Sequence, residues 1–500
     1  MVGMGFLFML RCERIPFMLT WLHHLATFSD CLEAYNVDAQ PGIPGLVNAL
    51  IKCCPREEAM KRNGSLRRLR ALLAVIVALI MTPGVWANSK YKTLHRFTYS
   101  KRGRSPRAGL IFDQTGNLFG TTAAGGNLGY CGGSGCGTVF ELTPNGDGNR
   151  WKEKVLYRFT GRDGSVPHAG LIFDKVGNLY GTTLYGGSGL CSNGSYSGCG
   201  TVFELTPRTG GGWTAKVLYH FTGHEDGGYP IAHLIFDQGG NLYGTTFAGG
   251  SDSDCYQGCG TVFKLTPNSD GSWNESVLHT FCSLKRCRDG ANPTTALIFD
   301  AAGNLYGPTS AGGTGNCGNG CGTVFELTPV TGGWKEKVLH NFTGGRDGDL
   351  PYGNLIFDQA GNLYGTSYVG GGYSDCPCGV VFKLAPNSDG VWNEKVLHKF
   401  TRGREGGLPY AGLVFDRDGN LYSTMVEGGS LRHCYPLGCG VVFKLMPTSD
   451  DGWKEIVLHR FLDHPGAVPY AGVILDAAGN LYGTTLFGGT KLSGVVFRIP

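Results

Sequence analysis

Seven copies of one motif dominate this chain and limit how it can fold. An apolar segment followed by Asp, two variable residues and Gly-Asn-Leu-Tyr/Phe recurs from residue 91 onward. The aspartates of the seven copies are Asp113, Asp174, Asp237, Asp300, Asp358, Asp416 and Asp476. Their spacings of 58 to 63 residues are too regular for chance, so the chain is a tandem array of one structural unit.

Each copy contains four strand-like runs separated by turn residues. In the first copy these runs are 109–113, 117–122, 137–144 and 151–159. They are rich in Val, Phe, Tyr and Thr, and the 83 glycines of the chain concentrate between them. Four strands in each of seven units predict an all-β fold, a seven-bladed β-propeller with four-stranded blades. A β-solenoid is the alternative, but its coils are usually shorter.

The two ends of the array complement each other. Residues 91–97 match the fourth run of a copy, whereas residues 494–500 match the third. The last copy therefore has only three runs of its own. We predict that the N-terminal segment supplies its outer strand, which closes the ring and removes exposed sheet edges.

A segment before the repeats has the order of a secretory signal peptide. Residues 60–70 are basic, residues 71–81 are apolar, and Pro83-Gly-Val-Trp-Ala87 follows. The apolar run is too short for a transmembrane helix, which needs about 20 residues. We expect cleavage after Ala87, a propeller over residues 88–500 and no transmembrane segment after cleavage.

Fifty-nine residues precede this signal. We expect translation to begin at Met60, with residues 1–59 an over-extended gene model; a pro-segment is the alternative. The array stops inside its last copy without an anchor tail, so we expect a secreted or periplasmic protein rather than one attached to the cell surface.

Charge argues against nucleic acid as a partner. Residues 1–87 hold 9 Lys and Arg against 6 Asp and Glu, which leaves 34 basic and 33 acidic residues in the remainder. A near-neutral domain lacks the basic patch or stripe that nucleic-acid binding requires. We expect a monomer without a cofactor.

Two kinds of connection vary from copy to copy, and a third kind is constant. The links between the second and third runs and the links between copies change in length and sequence, and both are expected at the same end of the propeller. The Asp-x-x-Gly-Asn turn is constant and lies at the opposite end. It has one carboxylate, where a calcium loop needs several oxygen ligands, so we interpret it as a structural turn. Binding residues tend to lie on variable loops of a rigid scaffold.

Fourteen cysteines follow Ala87, and all occur in short local pairs. Even counts and an export signal favour disulfides. The predicted pairs are Cys131/Cys136, Cys191/Cys199, Cys255/Cys259, Cys282/Cys287, Cys317/Cys321, Cys376/Cys378 and Cys434/Cys439. Zinc is the alternative, but each pair alone lacks two ligands of a tetrahedral site, so no metal site is predicted.

The residue after the repeated proline of each link varies most. These positions are Arg107, His168, Ile231, Thr294, Tyr352, Tyr410 and Tyr470. They lead into the innermost strand and should surround the mouth of the channel. We predict that Arg107, His168, Tyr352, Tyr410 and Tyr470 bind a sugar or another polar ligand by stacking and hydrogen bonding. The alternative is that they pack against neighbouring loops. The repeated outer-strand histidines, replaced by Tyr157 and Tyr219 in two copies, are interpreted as half-buried packing residues.

The pattern Leu-Ile-Phe-Asp-x-x-Gly-Asn-Leu-Tyr-Gly-Thr-Thr, followed by Gly-Thr-Val-Phe-Glu-Leu-Thr-Pro, resembles the GloVer repeat. The resemblance covers residues 91–500, with departures at Pro308 and Ser423. It implies an exported bacterial tandem-repeat protein, of a group that often carries a C-terminal surface anchor, and it implies no defined activity. The Asp-x-x-Gly-Asn-Leu-Tyr core is also similar to NHL-repeat propellers.

Two classes of function are consistent with this sequence. The first is a non-enzymatic binding scaffold for an extracellular glycan or protein. The alternative is a hydrolase or lyase acting on a polysaccharide or a lactone, which would need paired carboxylates or a metal set at the channel. No catalytic residue is assigned, because no acidic pair, nucleophile elbow or phosphate-binding loop is evident. A purely structural surface protein is a third possibility.

Overall fold

The computed structural model describes residues 91–500, apart from 99–100, 147–149, 193, 195, 251–254, 256, 373–377, 402, 431–433, 435–436, 463–465 and 490. The expected signal peptide and upstream extension lie outside these residues, as does Cys376. Within the described residues, no helix is long and apolar enough to cross a membrane.

The described chain is almost entirely strand, turn and loop. The first strand, β1 (Lys92–Arg96), belongs to the last blade. The first four blades use β2 (Ile111–Phe112), β3 (Leu118–Thr122), β4 (Thr138–Pro144), β5 (Trp151–Arg158), β6 (Ile172–Phe173), β7 (Leu179–Thr183), β8 (Thr201–Pro207), β9 (Trp213–His220), β10 (Ile235–Phe236), β11 (Leu242–Thr246), β12 (Thr261–Pro267), β13 (Trp273–Thr280), β14 (Ile298–Phe299), β15 (Leu305–Thr309), β16 (Thr323–Val330) and β17 (Gly333–Asn341). The remaining strands are β18 (Ile356–Phe357), β19 (Leu363–Ser367), β20 (Val380–Pro386), β21 (Trp392–Lys399), β22 (Val414–Phe415), β23 (Leu421–Met425), β24 (Val441–Pro447), β25 (Trp453–Arg460), β26 (Ile474–Leu475), β27 (Leu481–Thr485) and β28 (Val495–Ile499). Two single 3₁₀ turns occupy Cys131–Gly133 and Lys285–Cys287.

These strands form seven four-stranded antiparallel sheets. In six of them the order follows the chain, from a two-residue innermost strand to a long outer strand, as in β2-β3-β4-β5. The seventh has the order β26-β27-β28-β1. The seven-bladed propeller predicted from the repeat is therefore confirmed.

The ring closes through the two ends of the array, as predicted. Strand β1 runs antiparallel to β28, with Lys92 opposite Arg498 and Arg96 opposite Val495. Thr484 adds a bond between the last blade and the first, because its hydroxyl donates to the Ala108 carbonyl oxygen at 3.0 Å. The pairing of β1 with β28 covers the edge of β28, which would otherwise be free to pair with another chain and aggregate.

The core lies between adjacent blades. In each junction a phenylalanine just after an outer strand meets, edge to face, the phenylalanine of the third strand in the next blade. Phe97 and Phe140 have ring centroids 5.1 Å apart, and the last junction, Phe461 with Phe497, has 5.3 Å. These rings are fully buried. Gly120 is required here, since a Cβ at that position would lie 2.7 Å from the Phe140 ring.

Two outer-strand histidines make a polar contact across a junction between blades. His398 of one blade lies 3.1 Å from the Glu455 carboxylate of the next, and His95 lies 3.6 Å from Glu153. Burial raises the pKa of Glu153 to about 7, although Arg102 and Arg158 oppose the shift. These two histidines are half-buried between blades, in agreement with their sequence interpretation.

Candidate functional site

The two ends of the propeller have different chemistry. Isolated backbone bridges join the links between blades to the loops that follow the second strands, for example Ser165 with Tyr185 and Asp349 with Val369. Both variable connections therefore lie at one end, here called the loop face. The Asp-x-x-Gly-Asn turns lie between the first two strands of each blade, at the other end, here called the turn face.

Each turn on the turn face satisfies its polar groups with hydrogen bonds inside its own blade. The Asp416 carboxylate accepts from the backbone N–H groups of Asp418 and Asn420, from the Asn420 side chain and from the Tyr422 hydroxyl. Partial burial opposes ionisation of Asp416, but the bonds from Asn420 and Tyr422 hold its pKa below the usual value. Gly419 has φ 81°, a conformation that glycine adopts without strain. The turn is structural.

On the loop face, the backbone before six of the seven repeated prolines has a positive φ; Leu408, before Pro409, is the exception. Val166 and Val468 have φ 55° and 58°, which is uncommon for β-branched residues. Their N–H groups donate to the carbonyl oxygens of Cys136 and Cys439, at 2.9 and 2.7 Å. In five of the links, the second cysteine of the preceding loop thus fixes the entry to the next innermost strand.

Disulfide bonding on this face is confirmed. The bonds join Cys131–Cys136, Cys191–Cys199, Cys255–Cys259, Cys282–Cys287, Cys317–Cys321 and Cys434–Cys439. Cys378 is also disulfide-bonded, and its predicted partner Cys376 lies outside the described residues. Disulfides persist in oxidising compartments, so the protein folds outside the cytoplasm.

The residues after the repeated prolines form a chain of contacts at the mouth of the channel, here called the channel-mouth ring. The rings of Tyr352 and Tyr410 have centroids 5.0 Å apart, and those of Tyr410 and Tyr470 are 4.9 Å apart. The Arg107 guanidinium lies 5.7 Å from the Tyr470 centroid and donates to Nε2 of His168 at 3.4 Å. The five residues predicted to bind a ligand are thus brought together in one arc across five blades.

Several polar groups of the ring are left without a partner. Nε of Arg107 and Oγ1 of Thr294 are buried and accept or donate no hydrogen bond within the described chain. The hydroxyls of Tyr352, Tyr410 and Tyr470 likewise make none with described residues, and these side chains are half-buried. Burial raises the pKa of Tyr410 to about 12, so its hydroxyl remains protonated and able to donate.

Two histidines at the ring are neutral. Burial, with the charges of Arg107 and His233 as smaller causes, lowers the pKa of His168 to about 4. Burial lowers the pKa of His233 to about 4 as well. A neutral His168 can accept from Arg107, which keeps the guanidinium turned toward the channel mouth.

The sequence analysis missed three residues of this site. His233 and Asn354 occupy a position, three residues after the proline, that is glycine in four copies. A Cβ at Gly170 would overlap the His233 ring, and the Asn354 side chain accepts from the Ala296 N–H at 3.1 Å. Tyr368 follows a second strand, and its ring contacts Tyr352 and Tyr410. One feature of the sequence could have identified these residues: each is a large or polar side chain at a repeat position that is small or apolar in most other copies.

Two carboxylates adjoin the tyrosine side of the ring. The charge of Asp349, after burial, contributes to the raised pKa of Tyr352, and that of Glu427 contributes in the same way at Tyr368. Burial raises the pKa of Asp349 itself. The ring therefore combines aromatic faces, one cation and neighbouring acids.

Two groups of side chains on the loop face have the composition of a metal site. One contains Cys317, Cys321 and Asp349, and the other contains Cys255, Cys259, Cys282 and Cys287. The second group supplies the four sulfurs that no single cysteine pair offers.

Comparison with known proteins identifies the repeat. The model of the Gloeobacter/Verrucomicrobia repeat matches residues 82–254, 189–372, 254–451 and 319–500. No curated protein matches the chain. Among solved structures, a luciferin-regenerating enzyme is similar with 15% identity and a TM-score of 0.38, covering 66% of this chain and 89% of that one.

The four matches together extend from residue 82 to residue 500, well over half of the chain. They agree with the resemblance to the GloVer repeat and with the seven observed blades. The chain belongs to the Gloeobacter/Verrucomicrobia repeat family.

Proposed function

We propose that this protein is a non-enzymatic binding module whose channel-mouth ring holds a polar extracellular ligand, in the first place a glycan. The observation that carries the proposal is the continuous arc from Tyr352 to His168, in which the buried Nε of Arg107 has no hydrogen-bond partner among the described residues. Buried polar groups without partners are costly, and a ligand that pairs with them removes that cost.

The chemistry of the arc suits a sugar. Aromatic side chains supply large rigid faces with a polar tip. Tyr410 lies between Tyr352 and Tyr470, so a pyranose ring has a stacking surface with hydroxyl groups at its edge. Arg107 adds N–H donors for a sugar hydroxyl or carboxylate. A protein loop that presents an aromatic or acidic side chain is the second ligand class that these groups accommodate.

Export belongs to the same proposal. The disulfides support folding outside the cytoplasm, and the sequence order of residues 60–87 supports a signal peptide that is removed after Ala87. Translation then begins at Met60, and residues 88–500 form the mature propeller. N-terminal sequencing of the secreted protein tests this step: a first residue near Asn88 is expected, and one upstream of residue 60 contradicts it.

Glycan-array binding tests the ligand. Wild-type protein is expected to bind a subset of glycans, with the signal reduced in Arg107→Ala and Tyr410→Ala. Asp418→Ala, an exposed change on the turn face, is the matched control and should bind as the wild type does. If the wild type binds no glycan, peptide or envelope extract, the proposal is wrong.

A hydrolase or lyase acting on a polysaccharide or a lactone is the second candidate. It is favoured by Asp349 and Glu427, the carboxylates beside Tyr352 and Tyr368. Incubation of the array hits with wild-type protein, followed by mass spectrometry, distinguishes the candidates. Unchanged glycans support binding alone, whereas cleavage that is lost in Asp349→Asn or Glu427→Gln supports an enzyme.

A further inference from the structure

Two disulfides meet on the loop face between the third and fourth blades. Cys255–Cys259 belongs to the loop between β11 and β12, and Cys282–Cys287 belongs to the link between β13 and β14. All four sulfur atoms lie within 4.8 Å of one another. Cys259 and Cys282 are buried, and the other two are half-buried.

The two disulfides lie close together because the link between β13 and β14 contains an insertion. The equivalent link between the first and second blades reads Phe159-Thr-Gly-Arg-Asp-Gly164, whereas this one reads Phe281-Cys-Ser-Leu-Lys-Arg-Cys-Arg-Asp-Gly290 and is four residues longer. The inserted residues bring a second cysteine pair onto the pair that the repeat already provides. By contrast, the sulfurs of Cys317 and Cys321 gather only with a carboxylate, that of Asp349.

We propose that Cys255, Cys259, Cys282 and Cys287 form one convertible site, which holds two disulfides when oxidised and binds Zn²⁺ through four thiolates when reduced. Zinc takes thiolate ligands at about 2.3 Å in a tetrahedron, which separates the sulfurs by about 3.8 Å. Four sulfurs already within 4.8 Å need small movements to reach that geometry. The spacings Cys-x₃-Cys and Cys-x₄-Cys also fall within those of structural zinc sites.

The surroundings of the four cysteines are cationic. Lys285, Arg286 and Arg288 flank Cys287 and are exposed. Their charge offsets the net charge of −2 that four thiolates and one Zn²⁺ carry. The carboxylate of Asp289 is engaged elsewhere, since it accepts from the N–H and hydroxyl of Ser283.

A metal ion has a route to the site. Cys255 and Cys287 line a cavity of about 1250 Å³ together with Lys285, Arg286 and Arg288. The same opening admits a reductant to both disulfides. The two half-buried sulfurs are thus the ones that face solvent, and the two buried sulfurs lie behind them.

The conversion between the disulfide form and the zinc-bound form balances in electrons and protons without any other group of the chain. Each disulfide takes two electrons and two protons from a dithiol, which leaves as its own disulfide. Zn²⁺ then displaces four thiol protons and forms four Zn–S bonds. Oxidation by a disulfide-forming catalyst returns the two S–S bonds and releases the metal.

Cobalt serves as the spectroscopic probe. The mature protein, residues 88–500, is reduced with a phosphine under argon, freed of reductant and titrated with Co²⁺, then with Zn²⁺. The wild type is expected to bind one Co²⁺ with the visible bands of a tetrahedral thiolate complex, and one Zn²⁺ should abolish them. The oxidised protein should show no such bands.

Two double variants decide the assignment. Cys282→Ser/Cys287→Ser leaves only one pair at the site and should lose the tetrahedral thiolate bands. Cys131→Ser/Cys136→Ser removes an isolated pair and should retain them. Absence of the bands in the reduced wild type, or their equal intensity in both variants, overturns the proposal.

A second measurement does not depend on the variants folding. Reduced wild-type protein is alkylated with and without one equivalent of Zn²⁺, and the modified cysteines are mapped by mass spectrometry. Zinc should protect Cys255, Cys259, Cys282 and Cys287 together while Cys131 reacts at an unchanged rate. Uniform protection or none contradicts the four-thiolate site.

Discussion

The turn face and the loop face of this propeller are built from the same seven repeats, but they differ in how their polar groups are satisfied. On the turn face, an aspartate such as Asp416 receives four hydrogen bonds from its own turn and from Tyr422. On the loop face, Arg107 and Thr294 keep buried atoms without partners.

This difference implies that the turn face contributes mainly to folding stability and the loop face mainly to ligand recognition. A turn that closes its own bonds offers little to a ligand and contributes to folding in every blade. The channel-mouth ring, whose donors remain unpaired, contributes less to folding and can form hydrogen bonds with an external ligand. Changes on the turn face should therefore alter mainly stability, and changes at the channel-mouth ring should alter mainly binding at neutral pH.

The largest expected effect is on the turn face. Asp416→Ala removes the acceptor of four hydrogen bonds and should lower the free energy of unfolding by about 2 to 4 kcal/mol, with glycan binding unchanged. Asp418→Ala, in the same turn, should change stability by less than about 0.5 kcal/mol. Denaturant unfolding measures both, and equal effects would contradict the role of the Asp416 carboxylate.

Removal of a loop-face disulfide should have a smaller effect on stability. Cys131→Ser/Cys136→Ser opens a loop with a sequence separation of 5, and so short a loop constrains the unfolded chain by only about 2 kcal/mol. Thermal unfolding of the oxidised variant and wild type tests this value. A loss greater than that of Asp416→Ala would show that the loop face contributes more to folding than the turn face.

Binding should respond at the ring with little change in stability. Tyr410→Ala removes the central aromatic face and should weaken binding of an array glycan about tenfold, equivalent to about 1.4 kcal/mol. Ile231→Ala, on the opposite side of the ring, is the matched control and should bind within about twofold of the wild type. Calorimetric titration measures both, and the reverse ranking would move the site away from the tyrosines.

The effect that is smallest at neutral pH is a pH dependence at His168. Its pKa is lowered from 6.5 to about 4 by burial and by Arg107, so the unfolded chain binds a proton between these values that the folded protein does not. The contribution to folding stability is therefore fully present above pH 6.5 and is lost as the pH falls toward 4, by about 3 kcal/mol in total.

His168→Gln keeps an acceptor for Arg107 without titrating. The difference in unfolding free energy between wild type and this variant should change between pH 6.5 and 4 and stay constant from pH 7 to 8. A constant difference over the whole range would show that His168 is not buried as described.

Much of the fold was predictable because the chain repeats itself. Seven aspartates gave the number of blades, and the match of residues 91–97 to the fourth strand gave the closure that β1 and β28 form. The contact between the N-terminal segment and the sixth blade was not predicted. There Tyr91 stacks on His459 with centroids 4.1 Å apart, whereas two other junctions pair a histidine with a glutamate.

The candidate site was predictable only in part. Variation after the prolines identified five residues that the structure places in contact, since each occupies the same position at the start of a blade. His233 and Asn354 were missed because their position is small in most copies. The meeting of Cys255–Cys259 with Cys282–Cys287 was also missed, since their proximity depends on how the enlarged link folds back and not on spacing along the chain.

A crystal structure of the protein with its strongest-binding array glycan is the decisive measurement for the channel-mouth ring. We expect a sugar ring stacked on Tyr410, between Tyr352 and Tyr470, with a guanidinium nitrogen of Arg107 donating to it. A glycan bound on the turn face, or bound on the loop face without contact to these residues, would contradict it.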